Sequence, residues 1–333
     1  MGRVLVTGSA GFIGANLVRR LLADGHEVHV LLLHPLETPP AKPGIHPNWR
    51  LDGVRDDLRV HIASLEDSGA VREAVSGIKP ERIFHLAAYG AYSWQDDVKR
   101  IVGVNLAGTV NLLEACLRTD FESFVNTGSS SEYGLKDHAP AEDEPAEPNS
   151  HYASAKLGAT LFCQLTAQSR KARISTLRLY SVFGPWEEPS RFVPTLAVKG
   201  LAGVLPPLVD PDVARDFVYV DDAVSAYLLA SEKAEPGEIF NVASGTQVTI
   251  RDAVATARRV LSIGAEPEWG TMPNRAWDTR SWVGNSAKLR ARLGWSPATG
   301  FEGGFRKTAG WLGENPGMLE LYRGSISSGE KSG

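Results

Sequence analysis

Apolar residues fall in short unbroken runs, and each run is followed by a stretch with helical spacing. Val4-Leu5-Val6 is such a run. Ala15 to Leu22 after it is apolar along one face, the pattern of an amphipathic helix. Leu58 to Ile62, Arg82 to Ala88 and Phe121 to Thr127 also read as strands, and the run at Glu27 to Leu33 shows no alternation with polar residues. They predict strands buried on both faces, as in a parallel sheet. Helical patterns run from Asp67, a capping residue type, through Val75, then over Asp97 to Arg118 and His151 to Ala167. Strands alternating with helices predict an α/β fold with a doubly wound parallel sheet, whose ligands bind beyond the C-terminal ends of the strands.

Two regions break the rhythm. Residues 35 to 57 carry Pro35, Pro39, Pro40, Pro43 and Pro47 and predict a loop. Past residue 180 prolines cluster again, with isolated strand patterns at Arg215 to Val220 and Glu238 to Val242. The expected organisation is a nucleotide-binding part over 1–180 and a smaller C-terminal substrate-binding lobe over 181–322, partly interleaved with the first. Residues 323–333 are rich in Gly and Ser and predict a disordered tail.

Composition narrows the class without changing the fold. The chain has 333 residues, 43% hydrophobic and 22% charged, with net charge -4. Nothing in it suggests a nucleic-acid or membrane surface, and no run is long enough to span a bilayer. Two cysteines, Cys116 and Cys163, lie in apolar, helix-like surroundings and read as reduced, buried thiols. The expectation is a cytoplasmic protein.

The chemistry starts at the first strand. Thr7-Gly8-Ser9-Ala10-Gly11-Phe12-Ile13-Gly14 spaces three glycines by three between a strand and a helix. Gly8 permits a tight reversal, Gly11 lets the backbone approach a pyrophosphate, and Gly14 lets the helix pack on the strand with its N-terminus toward the anion. This makes the sheet Rossmann-like and implies a dinucleotide. Tyr152 and Lys156 stand four apart on a predicted helix and share a face. An ammonium beside a phenol lowers its pKa, which suits proton exchange with a hydroxyl or ketone while hydride moves. Ser129, Ser130 and Ser131 follow the fifth strand; a hydroxyl there can bind the same oxygen, and composition leaves open which one does.

With these stretches the chain resembles the extended short-chain dehydrogenase/reductases of the NAD-dependent epimerase/dehydratase family, which act on nucleotide sugars. The matching motifs are TGSAGFIG (7 to 14), HLAA (85 to 88), VNLAGTVNLLEA (104 to 115), GSSSEYG (128 to 134), YASAK (152 to 156), LRLYSVFGP (177 to 185), RDFVYVDD (215 to 222) and NVASG (241 to 245). The resemblance implies an enzyme using NAD(H) or NADP(H), with a nucleotide-diphosphate sugar as substrate, and a homodimer through helices 97–118 and 152–168. It implies Tyr152 as acid/base, Lys156 on the nicotinamide ribose, and Ser129 as the hydroxyl partner. It implies cofactor contacts from Thr7, Gly8, Gly11, Phe12, Ile13, Gly14, Leu65, Leu86, Ala87, Ala88 and Asn105, besides Tyr152 and Lys156. For the substrate it implies Tyr92, Ser130, Ser181 and Arg191, with Arg215 and Arg275 on the diphosphate.

Several positions depart from the family pattern. Ser130 and Ser131 stand where dehydratases carry an Asp-Glu pair, and Glu132 comes one residue late, which disfavours elimination of water. Ser181 replaces an asparagine, and Ala63-Ser64-Leu65 replaces Gly-Asp-Leu at the adenine contact. Leu32, Leu33 and His34 place no acid at the end of the second strand, which tilts the cofactor toward NADP(H), with Arg19 or Arg20 able to approach a 2′-phosphate. Trp277 can stack on a base or sugar, or pack in the core. The resulting expectation is a 4-ketoreductase of an NDP-4-keto-6-deoxyhexose. A 4-epimerase with bound NAD is the alternative, ahead of a 4,6-dehydratase or a non-catalytic NAD(P) sensor.

Overall fold

The computed structural model describes residues 2–39, 45–92, 94–275 and 278–330. The apolar runs form strands β1 (Arg3–Thr7), β2 (Glu27–Leu32), β3 (Arg59–Ile62), β4 (Arg82–His85), β5 (Ser123–Ser129), β6 (Ile174–Leu179), β7 (Ser181–Phe183), β8 (Ala214–Tyr219), β9 (Ile239–Val242) and β10 (Gln247–Thr249). Seven of them make one sheet in the order β3-β2-β1-β4-β5-β6-β9, and every pairing in it is parallel. The order reverses beside β1, so the switch point lies between β1 and β4, where such sheets bind their ligands. The other three form a small sheet, β10-β8-β7.

The helices are α1 (Phe12–Ala23), α2 (Ser68–Ile78), α3 (Val98–Val102), α4 (Gly108–Cys116), α5 (His151–Arg170), α6 (Phe192–Leu201), α7 (Val220–Lys233), α8 (Ile250–Leu261), α9 (Ala287–Leu293), α10 (Phe301–Glu314) and α11 (Pro316–Glu330). They cover both faces of the large sheet. Val4 and Val6 enter a core with residues of α1 and α7, whereas Leu5 enters a second core with residues of α2, α4 and α5. That split follows from the two-residue period of a strand and explains why the sequence shows no alternation.

Several boundaries differ from expectation. The strand predicted to Ala88 stops at His85, and the strand predicted to Thr127 continues to Ser129, which pairs with Leu179. The helix predicted over 97–118 is capped by Asp97 and interrupted by a π-helical turn at Gly103–Ala107. The loop over 35 to 57 contains two short 3-10 turns, Trp49–Leu51 and Arg55–Asp57, while Pro40 and Pro43 lie outside the described residues. The Gly/Ser-rich tail is helical to Glu330 because its sparse apolar residues share a face: Tyr322 and Ile326 are both buried. Cys116 and Cys163 are free and buried.

One buried chain of hydrogen bonds ties β1, β4 and α4 together. The Ala87 N–H reaches the Thr7 hydroxyl at 3.3 Å, Thr7 Oγ1 meets His85 Nδ1 at 2.7 Å, His85 Nε2 meets Thr109 Oγ1 at 2.9 Å, and Thr109 donates to the Asn105 carbonyl at 2.7 Å. Because Thr109 spends its proton on that carbonyl, the direction of the whole chain follows, and it assigns the proton of His85 to Nε2. Burial, helped by the Lys156 ammonium, pushes His85 down to about 3. A histidine held neutral in the fold but titrating near 6.5 when unfolded stabilises the fold fully above pH 6.5. That stability is lost as pH falls toward 3, at about 1.4 kcal/mol per unit. Denaturant midpoints measured from pH 7 to 5 should therefore fall more steeply for the wild type than for His85→Gln, by a difference of about 2 kcal/mol at pH 5; parallel curves would contradict this.

Candidate active site

The glycine turn is built for close approach. Gly8 has φ +68, and a Cβ there would lie 2.5 Å from the Ala87 nitrogen; a Cβ on Gly14 would run into the Gly8 carbonyl. The Gly11 N–H closes the turn on the Gly8 carbonyl at 2.9 Å. Helix α1 then begins at Phe12 with Gly11 as its N-cap, without a side-chain cap and without an acid in its first turn. Its opening N–H groups, those of Phe12, Ile13 and Gly14, are left to an outside anion. Leu86 and Ala87 are half-buried and Ala88 exposed, just past the end of β4. These features fit a dinucleotide pyrophosphate.

Other residues expected at the cofactor are engaged elsewhere. The Thr7 hydroxyl belongs to the His85 chain. Leu65 is a core residue against Gly108, and its carbonyl accepts from Asn111 at 2.9 Å. Asn105 is fully buried on the π turn and brackets the Tyr89 backbone, accepting from its N–H at 2.9 Å and donating to its carbonyl at 2.6 Å. It thereby shapes the loop after β4. At the end of β2, Leu33 and His34 are exposed and neither is acidic. The two arginines expected to approach a 2′-phosphate are occupied. Arg19 lies over the Trp186 ring at 4.1 Å and donates to the carbonyls of Ala15 and Asp52; burial pushes it down to about 10, with Asp52 opposing. Arg20 pairs with Asp24 at 2.8 Å.

The catalytic candidates come from β5 and α5. Ser129 ends β5 and caps the short turn Ser130–Tyr133, with its hydroxyl 2.7 Å from that of Ser131. Ser150 caps α5 through the Ala153 N–H, which sets the helix so that Tyr152 and Lys156 lie one turn apart. The Ser129 hydroxyl lies close enough to the Tyr152 phenol to pull its pKa down. Burial and the Glu132 carboxylate together push that phenol up to about 12, against the pull of Ser129. The ammonium expected to lower it does not bring it down. Lys156 is fully buried near His85, Cys163 and Glu132; burial lowers its pKa, Glu132 and then Cys163 oppose, and it donates no hydrogen bond among the described residues. A buried ammonium with unused donors fits a ribose.

Sequence reasoning placed Glu132 as a displaced carboxylate, and the structure shows where it went. It is fully buried, accepts from the Ser129 N–H at 2.8 Å and the Thr160 hydroxyl at 3.1 Å, and pairs with Arg178 at 2.8 Å. Arg178 was missed altogether. It also donates to the Tyr133 hydroxyl at 2.7 Å, which donates to Asn241 on β9 at 2.8 Å. A Glu three residues after the capping serine is a capping box, the one signal that could have exposed this role.

On the substrate side, Tyr92 stacks on Trp94 with centroids 4.7 Å apart, and Arg191 lies over Tyr92 at 5.1 Å while donating to the Ala91 carbonyl. Arg191 is within electrostatic reach of both Tyr152 and Arg215. Arg215 is paired with Asp278; burial lowers its pKa, Asp278 opposes, and Arg275 and Arg191 add to the lowering. Three guanidiniums thus act on one another, with Arg191 also acting on the phenol, a setting suited to a diphosphate. Ser130 is buried beside Tyr180 and Trp282, and Ser181 is half-buried at the start of β7. Trp277 lies outside the described residues.

Comparison with known proteins agrees with this geometry. Residues 4–243 match the model of the NAD dependent epimerase/dehydratase family. The chain is 33% identical over 319 residues to the UDP-glucose 4-epimerase of Mycolicibacterium smegmatis, covering 92% of this chain and 97% of that one. It is 27% identical over 321 residues to the dTDP-glucose 4,6-dehydratase of Streptomyces griseus, covering 92% and 93%. The UDP-glucose 4-epimerase of Thermus thermophilus, solved with NAD, superposes with a TM-score of 0.78 at 30% identity, over 97% of this chain and 99% of that one.

The buried ion pair carries a stability consequence. Glu132→Ala leaves the Arg178 guanidinium uncompensated and should cost about 3–5 kcal/mol in denaturant unfolding, with Arg178→Met in the same background recovering part of it. A loss below about 1 kcal/mol would show that the pair holds nothing.

Proposed function

This chain belongs to the NAD-dependent epimerase/dehydratase family, an extended short-chain dehydrogenase/reductase, and from that premise we propose that it is a nucleotide-sugar 4-epimerase that retains its NAD. The observation that carries this reading is that the Glu132 carboxylate of the serine loop is bound inward to Arg178, while the Ser129 hydroxyl of the same loop lies near the Tyr152 phenol. Two hydroxyl groups at one sugar oxygen serve proton exchange at C4. With the carboxylate turned away, the loop lacks the group that would eliminate water. The nicotinamide supplies the hydride acceptor and donor. Ser129 orients the C4 oxygen, Tyr152 takes its proton and returns it, and Lys156 holds the cofactor ribose. Arg191, Arg215 and Arg275 receive the diphosphate, with Tyr92 along the sugar. The likeness to two 4-epimerases supports the same reading.

Reduction of an NDP-4-keto-6-deoxyhexose by NADPH is the second reading. The absence of an acid at the end of β2 favours it, and the engagement of Arg19 and Arg20 weighs against it. Purified protein that carries NAD and interconverts UDP-glucose and UDP-galactose without net redox supports the epimerase; NADPH oxidation with a 4-keto sugar and no interconversion supports the reductase.

A homodimer is part of the proposal. Val98 and Val102 on α3, and Leu161 and Leu165 on α5, are 42%, 44%, 52% and 66% exposed, and each pair lies one turn apart. These two packed helices would meet their copies as a four-helix contact.

Two outcomes check these assignments. Tyr152→Phe should lower kcat by about 10²–10⁴-fold while NAD remains bound, read by turnover and by cofactor content after denaturation. Leu161→Glu with Leu165→Glu should convert a dimer to a monomer in sedimentation; an unchanged mass would move the interface elsewhere.

A further inference from the structure

The turn after Gly184-Pro185 is bent in a way that a bulky residue resists. Trp186 has φ +71, in the left-handed region. Two bonds from remote segments hold it there. Arg50 Nε donates to the Trp186 carbonyl at 2.6 Å, and the Tyr322 hydroxyl of α11 donates to the Glu187 carbonyl at 2.6 Å. Arg50 is fixed in turn by an ion pair with Glu188 at 3.0 Å, and the Trp186 ring packs against Trp49 and Trp311. Loop, lobe and C-terminal helix therefore converge on two successive peptides.

The residue so held is Glu187. It is 8% exposed, and its Oε2 is buried without a hydrogen-bond partner. A buried carboxyl oxygen left unpaired is costly, and in a strained, doubly pinned turn it points to a ligand. Its surroundings are those of the sugar. Glu187 is within electrostatic reach of Tyr92 and Arg191, and both of these are within reach of Tyr152. A hexose bridging Tyr152 and the arginines would lie along this wall.

We propose that Glu187 is a specificity-determining residue of the sugar subsite, contacting the hexose and selecting it through a hydrogen bond to one of its hydroxyl groups. This deepens the nucleotide-sugar reading above and rests on it. A carboxyl that finds its partner only on the correct sugar penalises an analogue that lacks the hydroxyl, because the buried oxygen is then orphaned again. Burial pushes the Glu187 acid up to about 8; Arg191, the Gly184 N–H and Arg50 oppose, and Glu188, on the same turn, adds to the rise. Tyr92 and Tyr322 complete the titratable groups around it. Below about pH 8 the acid is neutral and can donate to a hydroxyl oxygen; above it the carboxylate accepts from the hydroxyl instead.

The test uses the full-length protein with UDP-glucose and its 2-, 3- and 6-deoxy analogues, or the corresponding 4-keto sugars if the enzyme reduces. Wild type should discriminate against one analogue by about 100-fold or more in kcat/KM, and Glu187→Ala should shrink that ratio below about tenfold. Glu187→Gln, which keeps the shape and can both donate and accept, should hold the discrimination within about threefold of the wild type. Unchanged discrimination in Glu187→Ala overturns the inference and leaves the nucleotide-sugar reading standing. If Glu187→Ala does not fold, Glu187→Asp, one methylene shorter, takes its place: its ratio should also fall below about tenfold, and an unchanged ratio overturns the inference. Wild type with no turnover on any of these sugars overturns the reading itself and the inference with it.

Discussion

The Glu132–Arg178 pair is the contact on which the site depends. One carboxylate receives a strand-end amide (Ser129), a helix hydroxyl (Thr160) and a guanidinium from the adjacent strand (Arg178). It therefore fixes β5, α5 and β6 relative to one another at the point where all three contribute to the cleft. Through Tyr133 and Asn241 the same network reaches β9. Two charges in a dry interior are favourable only when every lone pair is used, and here both carboxylate oxygens are spoken for. Loss of either partner would disturb Ser129 and Tyr152 together, because each is positioned against an element the pair clamps.

The same charge also sets the electrostatics of the cleft. Burial lowers the Lys156 pKa, and Glu132 is the first group to oppose it, which helps keep an ammonium in a site without water. Glu132 has the reverse effect on Tyr152, where its field adds to burial and favours the neutral phenol. The phenol is thus an acid at rest. A group that is to alternate between accepting and returning a proton needs its pKa brought nearer the working pH, and a cationic nicotinamide bound beside it acts in that direction. Cofactor binding and proton chemistry are coupled by simple charge, with no conformational switch required.

Much of this was legible in the sequence where the physics is local. Gly8 announces the turn by its left-handed backbone and Gly14 by leaving no room for a Cβ against the Gly8 carbonyl, and Tyr152 and Lys156 share a face by helical spacing alone. Strands β1 to β5 are read from their apolar residues, whereas β6 is not read as a strand and β9 is assigned to the lobe instead of the edge of this sheet. What escaped was set by contacts far apart in the chain. Arg178 reads as one more residue of a buried strand until Glu132 is placed beside it. Asn105 matches a cofactor position in the family pattern, yet its amide is used by the Tyr89 backbone sixteen residues earlier. Arg19, expected near a phosphate, is drawn away by Trp186, a partner that no spacing rule connects to it. The tail over 323–333 continues a helix whose packing residues mostly precede it, Met318, Leu319, Leu321 and Tyr322, with Ile326 alone buried inside the stretch that composition marks as disordered.

That last error bears on how the cleft is assembled. The lobe side of the site has few regular hydrogen bonds of its own, since β7 is three residues long and the turn after it is strained at Trp186. Such a turn relaxes unless something outside it supplies the restraint. Here the restraint comes from Arg50 in the proline-rich loop and from Tyr322 of α11, two segments remote from the turn in the chain. The glycine turn after β1 is fixed by its own strand and helix, whereas the turn after β7 is fixed by its neighbours. If Glu187 reads the sugar as proposed, changes in loop 35–57 or in α11 would alter which sugar is accepted without touching Ser129, Tyr152 or Lys156.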